Sequence, residues 1–428
     1  MKIYNERTKK IEDFKSENNN IKMYVCGPTV YDDIHIGNAR PLIFFDFVST
    51  LLKKNGYNVM YVSNITDIDD KIINRALLEH NTEEKIIEKY KKEYLFLLEK
   101  MNIKFDVQPC VTEYIDEIIN FINKLIETGY AYEKEGSVYL EVQKIKRYGE
   151  LSNLKFDCCY NGSDEFDKKN ERDFALWKKT TKGLNWDSPW SKGRPGWHTE
   201  CVVFINEIFG KEITIHGGGI DLQFPHHENE NAQSLALGNE LSKYWMHNGF
   251  VNINNEKMSK SLGNMIKTKD FIQEYGVNVL KLLMYQVNYR QPIDINEKTI
   301  NDIKKLEQKI ISFYKNNGLK KTNYKNSKAL EIANNDFDTA NLITYLYEIL
   351  KNNNEENIQE FSNIIELFNL ELNDLEEEIP NEIKTLIKKR NQYKKNKDYI
   401  SADQIRKEIE EKGYQIKDTR EGTICQKI

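Results

Sequence analysis

The fold is decided by residues 23–40, which read MYVCGPTVYDDIHIGNAR. An apolar run from Ile21 to Val25 predicts a buried strand, and the glycine and proline at 27 and 28 predict a turn after it. A helix is expected to begin near Arg40, with Pro41 in its first turn. The segment between them would then lie at the carboxyl end of a parallel strand, where open α/β sheets bind their ligands.

Two loops carry side chains that can do chemistry. In the first, Cys26 stands at the strand end, and His35 and Asn38 stand beside a helix start whose free N–H groups suit a phosphate. In the second, Lys257 opens the run KMSKSLGN, whose lysines and serines could bring charge to a phosphate chain. Each loop has an ordinary alternative, because a lone cysteine is more often a small buried hydrophobe and a Lys-Ser loop is often only solvated surface.

Composition limits the possible classes of protein. The 428 residues can form two or three domains, and the net charge of -5 means that any nucleic-acid partner must be met by local basic patches. The six cysteines have no disulfide-framework spacing, which suits free or metal-bound thiols in a reducing compartment. There is no signal-peptide core and no long apolar run, so we expect a cytoplasmic protein without membrane association. A monomer is expected, although the oligomeric state is left open.

The first part of the chain alternates strand and helix, which predicts a parallel sheet with right-handed crossovers. The predicted elements are strands near 21–26 and 58–64 and helices near 40–55 and from 66–71. Between about 112 and 200 the alternation is interrupted by a helix, a hairpin at 131–141 and a polar stretch at 157–171, as in an insertion. It resumes with a strand at 212–216 and a helix that opens at Pro225.

Beyond about residue 291 the composition shifts to Lys, Asn and Glu. Apolar residues at three- and four-residue spacing predict a helical bundle there, and the linker-like stretch 315–328 is either an ordered loop or disorder. The tail at 388–399 is basic with interleaved tyrosines. It could bind an RNA backbone and its unstacked bases, or it could be a solvated Lys-rich helix.

Four scattered residues form a candidate zinc site: Cys26, Cys201, His226 and Glu230. The last two are four residues apart, so they share one helix face, and two thiolates, an imidazole and a carboxylate suit zinc. His227 and Glu228 are the competing choices, but on an α-helix they rotate off that face. The residues alone leave the site open, because a sequence does not show that they converge.

The two loops together, HIGN at 35–38 and KMSKS at 257–261, resemble the paired signatures of the class I aminoacyl-tRNA synthetases. The segments around Cys26, Cys201 and 226–230 resemble those that supply zinc in the cysteine-specific members of that family. This resemblance runs over essentially the whole chain. It departs from the family pattern at Asn38, where the signature has His, and near the C-terminus at Lys394 and Cys425, where Arg and Trp are usual.

The resemblance implies an α/β fold: a Rossmann-like parallel-sheet catalytic domain with an inserted connective-peptide subdomain, followed by an α-helical bundle and a small C-terminal anticodon-binding region. The implied boundaries are 1–111 and 201–256 for the two halves of the catalytic domain, 112–200 for the insertion, 257–296 for the KMSKS loop and stem-contact region, 297–380 for the bundle and 381–428 for the anticodon-binding region.

The implied reaction has two steps. L-Cysteine is activated with ATP to cysteinyl-adenylate, and cysteine is then transferred to the 3′ end of tRNA(Cys). One Zn²⁺ per chain would select the substrate thiolate, a distinction from serine that a pocket could not make by size alone. Mg²⁺ is expected with the ATP, held mainly by phosphates and water.

Roles for individual residues also follow from the resemblance. His35, Asn38, Lys257 and Lys260 would act on the triphosphate, with Gly37 beside the nucleotide. Gly27, Thr29, Trp197 and His216 would line the substrate pocket, and Lys394, Tyr399, Asp403 and Asp418 would contact RNA. The acids of residues 64–71 would cap a helix or face the ligand. A ligase that joins cysteine to an aminosugar and a catalytically dead RNA-binding relative remain as alternatives.

Overall fold

The alternating start of the chain folds as a parallel sheet in the computed structural model, which describes residues 1–16, 18–154, 168–259, 262–372, 380–419 and 422–427. The strands are β1 (Lys2–Asn5), β2 (Lys10–Asp13), β3 (Asn20–Val25), β4 (Asn58–Val62), β5 (Ala131–Lys134), β6 (Ser137–Leu140), β7 (Phe174–Lys179), β8 (Gly193–Pro195), β9 (Ile213–Gly219), β10 (Ser242–Asn248), β11 (Val251–Ile253), β12 (Glu256–Lys257), β13 (Ile293–Ile295), β14 (Tyr414–Thr419) and β15 (Gly422–Lys427).

The described chain divides into two compact units, Met1–Leu370 and Glu371–Ile428. The helices are α1 (Ile36–Lys54), α2 (Asp70–Leu78), α3 (Glu83–Lys100), α4 (Ile115–Glu127), α5 (Trp197–Phe209), the single turn α6 (Ile220–Leu222), α7 (Glu228–Ala236), α8 (Thr268–Tyr275), α9 (Val277–Tyr285), α10 (Glu297–Asn317), α11 (Lys328–Ala333), α12 (Thr339–Ile349), α13 (Glu355–Leu367), α14 (Asn381–Lys395) and α15 (Tyr399–Glu411). None of these described helices has the length and apolar character needed to cross a membrane.

Four parallel strands in the order β10-β9-β3-β4 form the central sheet of the first unit. Helix α1 connects β3 to β4 and packs on the sheet. Val25 pairs with Gly217, so the carboxyl ends of β3 and β9 lie side by side. The predicted α/β class with a Rossmann-like parallel sheet is confirmed, and the edge where ligands are expected is the one that follows these two strands.

Helix α1 begins at Ile36, so the predicted start near Arg40 is wrong, and Pro41 lies inside the helix. The reason is a reciprocal cap that the proline signal concealed. The Asn38 backbone N–H donates to His35 Nδ1 (3.3 Å), and the His35 backbone N–H donates to Asn38 Oδ1 (3.2 Å). The two residues predicted to bind phosphate therefore form the helix start itself.

Gly217, Gly218 and Gly219 form the last part of β9. A methyl group on Gly217 would lie 2.1 Å from Cζ of Phe45, so helix α1 packs directly against the strand backbone. Only glycine permits this distance, because real Cβ atoms do not approach another atom so closely. The close packing fixes the height of α1 above the carboxyl end of the sheet.

An antiparallel sheet in the order β5-β6-β7-β8 lies in the chain between β4 and β9. The predicted hairpin is confirmed: β5 pairs with β6, and its turn residues Glu135 and Gly136 both have positive φ. Most of the polar stretch predicted at 157–171 lies outside the described residues.

Helices α10, α12 and α13 match the predicted bundle, whereas the short α11 was not predicted. The stretch 318–327 is an ordered loop, because the Lys320 N–H donates to Ser362 Oγ (2.9 Å) and the Asn323 N–H donates to Asn363 Oδ1 (3.0 Å). In the second unit, α14, α15 and the β14–β15 hairpin pack around Ile383, Ile405, Ile409 and Ile416.

A buried arginine joins α1 to two later segments of the first unit. Arg40 Nη1 donates to the carbonyl oxygens of Gly249 (2.7 Å) and Phe250 (2.9 Å). Its Nη2 donates to those of Tyr289 (3.1 Å) and Gln291 (2.7 Å). The planar fork of donors satisfies four backbone acceptors at once, which a lysine ammonium with three donors does not match.

We expect Arg40→Met to lower the free energy of unfolding of the first unit by at least about 3 kcal/mol, because buried carbonyl groups lose their donors. Chemical denaturation followed by tryptophan fluorescence measures this directly, since all five tryptophans lie before residue 371. Arg147→Met is the control: its guanidinium is 40% exposed, and a change below about 1 kcal/mol is expected. Equal losses for both variants would contradict the role given to Arg40.

Candidate metal centre and nucleotide cavity

The four predicted zinc ligands come together at the carboxyl edge of the parallel sheet. Cys26 follows β3, Cys201 lies on α5, His226 lies in the kinked turn Gln223–His227 before α7, and Glu230 lies on α7. Each offers one donor atom, and the four atoms lie within 4.8 Å of one another. The cluster therefore fits a metal site.

The distances within the cluster are those of side chains in direct contact. The sulfurs of Cys26 and Cys201 are 3.7 Å apart, and Cys201 Sγ is 3.7 Å from His226 Nε2. Glu230 Oε1 lies 2.8 Å from His226 Nε2 and 3.4 Å from Cys26 Sγ. Cys26 is partly exposed while the other three are buried, so the cluster opens to one side only.

His227 also reaches this cluster, and the prediction that it rotates off the ligand face is wrong. Its Nε2 lies 3.3 Å from Cys26 Sγ, and Cys26, His216, His227 and Glu230 form a second group of possible ligands. Phe224 has extended backbone (φ -136°, ψ 132°), so the chain is kinked before the two histidines. His226 then contacts Cys201 while His227 contacts Cys26, so the two neighbouring side chains reach different thiols of one cluster. Glu228 does point away, because its carboxylate accepts from the Gly149 and Ser152 N–H groups.

Further histidines contact the ligands from behind. Glu230 Oε2 lies 2.6 Å from His216 Nε2, and His226 Nδ1 lies 3.0 Å from His198 Nδ1. His227 Nδ1 lies 2.8 Å from His247 Nε2. Such outer partners hold metal ligands in a fixed orientation. Both non-sulfur members of the group containing His226 have one, whereas in the other group the buried His216 Nδ1 has no hydrogen-bond partner among the described residues, which favours the first group.

The histidines differ in charge. Burial alone would lower the pKa of His226, but the Glu230 carboxylate and the Cys201 sulfur outweigh it and raise the pKa to about 10. Burial lowers the pKa of His198 and His227 well below the usual range, and that of His247 to about 3. Without metal, one imidazolium therefore faces the Glu230 carboxylate, whose pKa the two neighbouring imidazoles hold well below normal against the effect of burial.

The turn after β3 places Cys26 beside the cluster. Its backbone N–H donates to the Gly217 carbonyl oxygen (3.3 Å), and the next N–H, of Gly27, donates to Asn64 Oδ1 (2.8 Å). A methyl group on Gly27 would lie 1.6 Å from the Asn64 carbonyl oxygen. Position 27 therefore has room only for glycine, a backbone role rather than a side-chain one.

A cavity of about 700 Å³ opens beside the cluster and is lined by some of the predicted site residues. Seven of them line it: Cys26, Gly27, Thr29, His35, Gly37, Asn38 and Trp197. His216 is fully buried behind the cluster and does not line it. Lys257 is exposed, with Nζ 3.8 Å from the centroid of the Phe250 ring, and does not line it either. Lys260 lies outside the described residues.

The segments next to the two signature loops are bound to each other at the rim of this cavity. The Ile36 N–H donates to the Ile266 carbonyl oxygen (3.0 Å), and the Thr268 N–H donates to that of Ile34 (2.9 Å). The Asp33 carboxylate pairs with Lys267 (2.8 Å) and with Lys269 (2.9 Å). The segment after the KMSKS loop is therefore fixed to the segment that begins α1.

Comparisons with known proteins agree with this geometry. The family model described as the catalytic domain of class I (C) tRNA synthetases matches residues 13–305. A cysteine–tRNA ligase of Acholeplasma laidlawii is 43% identical, over 97% of this chain and 100% of that protein. Another, of Geobacillus sp. (strain WCH70), is 42% identical, over 99% of this chain and 98% of that protein. The chain belongs to the cysteinyl-tRNA synthetase family of class I.

The fold of this cysteinyl-tRNA synthetase family member is shared with a solved structure at low identity. Methionyl-tRNA synthetase of Mycobacterium tuberculosis, in complex with methionyl-adenylate, superimposes with a TM-score of 0.57 at 13% identity, covering 81% of this chain and 88% of that one. This similarity concerns the fold alone, and it agrees with the Rossmann-like class that the sequence predicted.

Several cavity residues of this family member were not predicted. They are Tyr31, Asp32, Asp33, Lys71, Arg75, Asp221 and Lys267. Lys71 and Arg75 are four residues apart on α2, so helical spacing after the second strand was the available signal. Asp221 follows the end of β9 directly, where the rule for parallel strands applies.

The acids of residues 64–71 do not line the cavity. Asp67 accepts from the Thr112 N–H (3.1 Å) and hydroxyl (2.6 Å). Asp69 caps α2 by accepting from the Lys71 N–H (2.8 Å), and Asp70 pairs with Arg194. Of the two predicted roles, capping is found for Asp69, whereas Asp67 and Asp70 are held by Thr112 and Arg194.

The predicted RNA contacts lie in the second unit. Lys394 and Asp418 bind each other (2.7 Å), and the Asp418 carboxylate also accepts two hydrogen bonds from Arg390, both 2.7 Å long. Arg390 was not predicted. Tyr399 is 60% exposed, and Asp403 is exposed as well. Hydrogen bonds from Arg390 and Lys394 hold the pKa of Asp418 well below its usual range.

We expect Asp418→Asn to destabilise the second unit by roughly 2 kcal/mol, because the buried Arg390 guanidinium loses its anionic partner. Hydrogen exchange of residues 381–419, measured by mass spectrometry, would show faster exchange there. Lys394→Met is the matched control, since its ammonium is 37% exposed and its loss should cost about 0.5 kcal/mol or less. Unchanged protection in the Asp418 variant would show that this ion pair does not hold the unit together.

Proposed function

We propose that this protein is a cysteine–tRNA ligase that activates L-cysteine with ATP to cysteinyl-adenylate and then transfers cysteine to the 3′ end of tRNA(Cys). One observation carries the proposal: the cluster with two thiols opens through Cys26 into the same cavity that the His35–Asn38 helix start lines. A sulfur-preferring metal site and an anion site in one cavity suit an amino acid with a thiol and a nucleotide.

We propose zinc for the metal. Around a tetrahedral zinc ion, donors are expected about 3.8 Å apart for two sulfurs, about 3.5 Å for sulfur and nitrogen or oxygen, and about 3.4 Å for nitrogen and oxygen. The cluster has 3.7 Å between its sulfurs, 3.7 and 3.4 Å from sulfur to His226 and Glu230, and 2.8 Å between those two. The last distance is short because a hydrogen bond takes the place of the ion.

Bound there, zinc would supply a Lewis acid that favours a thiolate over a hydroxyl, which is the distinction between cysteine and serine. The chain itself supplies the entrance. Trp197 stacks on His226 with ring centroids 4.2 Å apart, and it lines the cavity. It therefore covers one side of the cluster and leaves Cys26 as the side from which a substrate thiol approaches.

The helix start would hold the phosphates of ATP. Because His35 Nδ1 accepts from the Asn38 N–H, the neutral ring carries its proton on Nε2, which makes that atom a hydrogen-bond donor. The positive dipole end of α1 adds to it, while the Ile36 and Asn38 N–H groups already donate to Ile266 and His35. Gly37 has no side chain that would keep the phosphates away from this surface. Lys257 and Lys260 of the KMSKS loop would neutralise the triphosphate, with Mg²⁺ on the phosphates.

Recognition of the tRNA is proposed to use the second unit. The second unit offers an exposed aromatic ring, Tyr399, on which a base could stack, together with Asp403 as an acceptor. We keep the boundaries given by the sequence as part of this proposal, with residues 297–380 as the bundle and 381–428 as the anticodon-binding region. A monomer is sufficient for it.

The activity test is cysteine-dependent exchange of pyrophosphate into ATP, followed by charging of tRNA(Cys). We expect exchange with cysteine and at least about a hundredfold less with serine, since coordination separates a thiol from a hydroxyl. Cys201→Ser should abolish exchange and reduce bound zinc, because it removes a ligand. The control is Cys110→Ser, a buried cysteine outside the cluster, which should retain both.

Exchange without charging of tRNA would favour the ligase that joins cysteine to an aminosugar. Binding of tRNA without exchange would favour a catalytically dead relative. Normal exchange by a zinc-free Cys201→Ser protein would refute the proposed role of the metal.

Zinc affinity should fall steeply as the pH falls. His226, with its pKa raised to about 10, and Cys26, whose pKa burial raises well above its usual value, both hold protons in the metal-free protein at neutral pH. Zinc can bind only after both protons leave, so its dissociation constant should change by at least about two powers of ten per pH unit between about pH 6 and pH 8. Competition with a chromophoric chelator measures it, and His226→Gln should remove about one power. An affinity that does not depend on pH would contradict the assigned ligands.

A further inference from the structure

Lys71 is the second residue of α2 and carries a positive charge to the cavity. Its Nζ lies 5.6 Å from the centroid of the Tyr31 ring and 5.8 Å from that of Trp197. All three residues line the cavity. The ammonium is therefore held by two aromatic rings, a contact that orients a cation without cancelling its charge.

The other long cations of the cavity already have acidic partners. Arg75 pairs with Glu79 (2.5 Å) and lies 3.5 Å from Asp32. Lys267 pairs with Asp33 (2.8 Å). Within the described ranges, Lys71 has neither an ion pair nor a side-chain hydrogen bond, and its acidic neighbour Asp70 is taken up by Arg194. Lys71 is thus the cation of this cavity whose charge the described protein leaves uncompensated.

The position of Lys71 relative to the metal cluster indicates which anionic groups would neutralise its charge. Trp197 stacks on His226, and the ammonium of Lys71 lies next to that same indole. Because Cys26, Trp197 and Lys71 line one cavity, a cysteine whose thiol entered at Cys26 would extend its carboxylate into that cavity beside this indole. The carboxylate and the phosphate that it attacks would then meet within reach of the lysine.

We propose that Lys71 binds the anionic groups that meet in the first step, the carboxylate of cysteine and the α-phosphate of ATP. This inference rests on the proposed function and adds a residue outside both signature loops. In that step a carboxylate oxygen forms a bond to the α-phosphorus, and the bond from phosphorus to the bridging oxygen breaks. Pyrophosphate leaves with that electron pair, and no proton is transferred. Lys71 supplies charge to the equatorial phosphate oxygens as negative charge redistributes among them.

A phosphodiester at the 3′ end of the tRNA offers the same anion chemistry from another source. It would reach the cavity only in the second step, after the adenylate has formed. The aromatic contact next to the metal cluster favours the first step, and the two sources are separable because only one step requires RNA.

The experiment compares Lys71→Met and Lys71→Arg with the parent enzyme in pyrophosphate exchange without tRNA. We expect kcat/KM for cysteine to fall about tenfold to a hundredfold in Lys71→Met and to recover largely in Lys71→Arg, which keeps the charge. Affinity for a cysteinyl-sulfamoyl analogue of the adenylate should fall with it, while zinc content and thermal stability stay at parent values. Lys100→Met is the control, since that ammonium lies 5.5 Å from the centroid of the Phe96 ring and does not line the cavity.

Each other outcome overturns the inference in a distinct way. Parent-like exchange with impaired single-turnover transfer to tRNA would assign Lys71 to the RNA phosphate. Parent-like values in both steps would show that the Lys71 ammonium contributes only to packing. Absence of exchange in the parent enzyme would refute the proposed function itself, and the inference with it.

Discussion

The carboxylate of Glu230 is the group on which the centre of this molecule depends. It is fully buried, and its two oxygens contact His226, His216 and the sulfur of Cys26. A carboxylate withdrawn from water costs several kcal/mol unless cations or donors surround it. The imidazolium of His226 meets that requirement in the metal-free protein, and a divalent ion would meet it in the loaded one. The segments that supply these partners must therefore be brought together before the site can exist.

The parallel sheet brings them together. Cys26 leaves β3 beside the last residues of β9, and the Cys26 N–H is bound to the Gly217 carbonyl oxygen. On the other face of that glycine lies Phe45 of α1, so the helix that begins with His35 and Asn38 is held at a fixed height above the same edge. Arg40 joins this helix to the segments before and after the KMSKS loop. Gly217 and Arg40 thus fix the position of the α1 start relative to the metal cluster.

The sequence predicted the elements that depend on local pattern and the site residues that depend on donor type. Its predictions were wrong where contacts between side chains decide the position of a residue. Strand and helix alternation predicted the parallel sheet, and donor chemistry selected four residues that do converge. Pro41 looked like a first-turn residue because the His35–Asn38 cap is not a common pair. His227 was misplaced because the cluster has two thiols, and the neighbouring histidines each reach a different one. No pattern foretold that Lys394 and Asp418 would bind each other, since that contact depends on how a helix and a hairpin pack.

The charged residues of the cavity fall into two groups: those that form structural ion pairs and those that are available to bind an anion. Asp33 pairs with Lys267 and Lys269 and so fixes the segment after the KMSKS loop to the segment before α1, and Asp32 lies next to Arg75 of α2. These pairs close the rim and are neutral overall or nearly so, so they hold the walls without attracting a polyanion strongly. A reactant that brings phosphates and a carboxylate must find its compensation in groups that the fold has left without a counterion. Lys71 is such a group, and it lines the same cavity as the start of α1, next to the indole that stacks on His226.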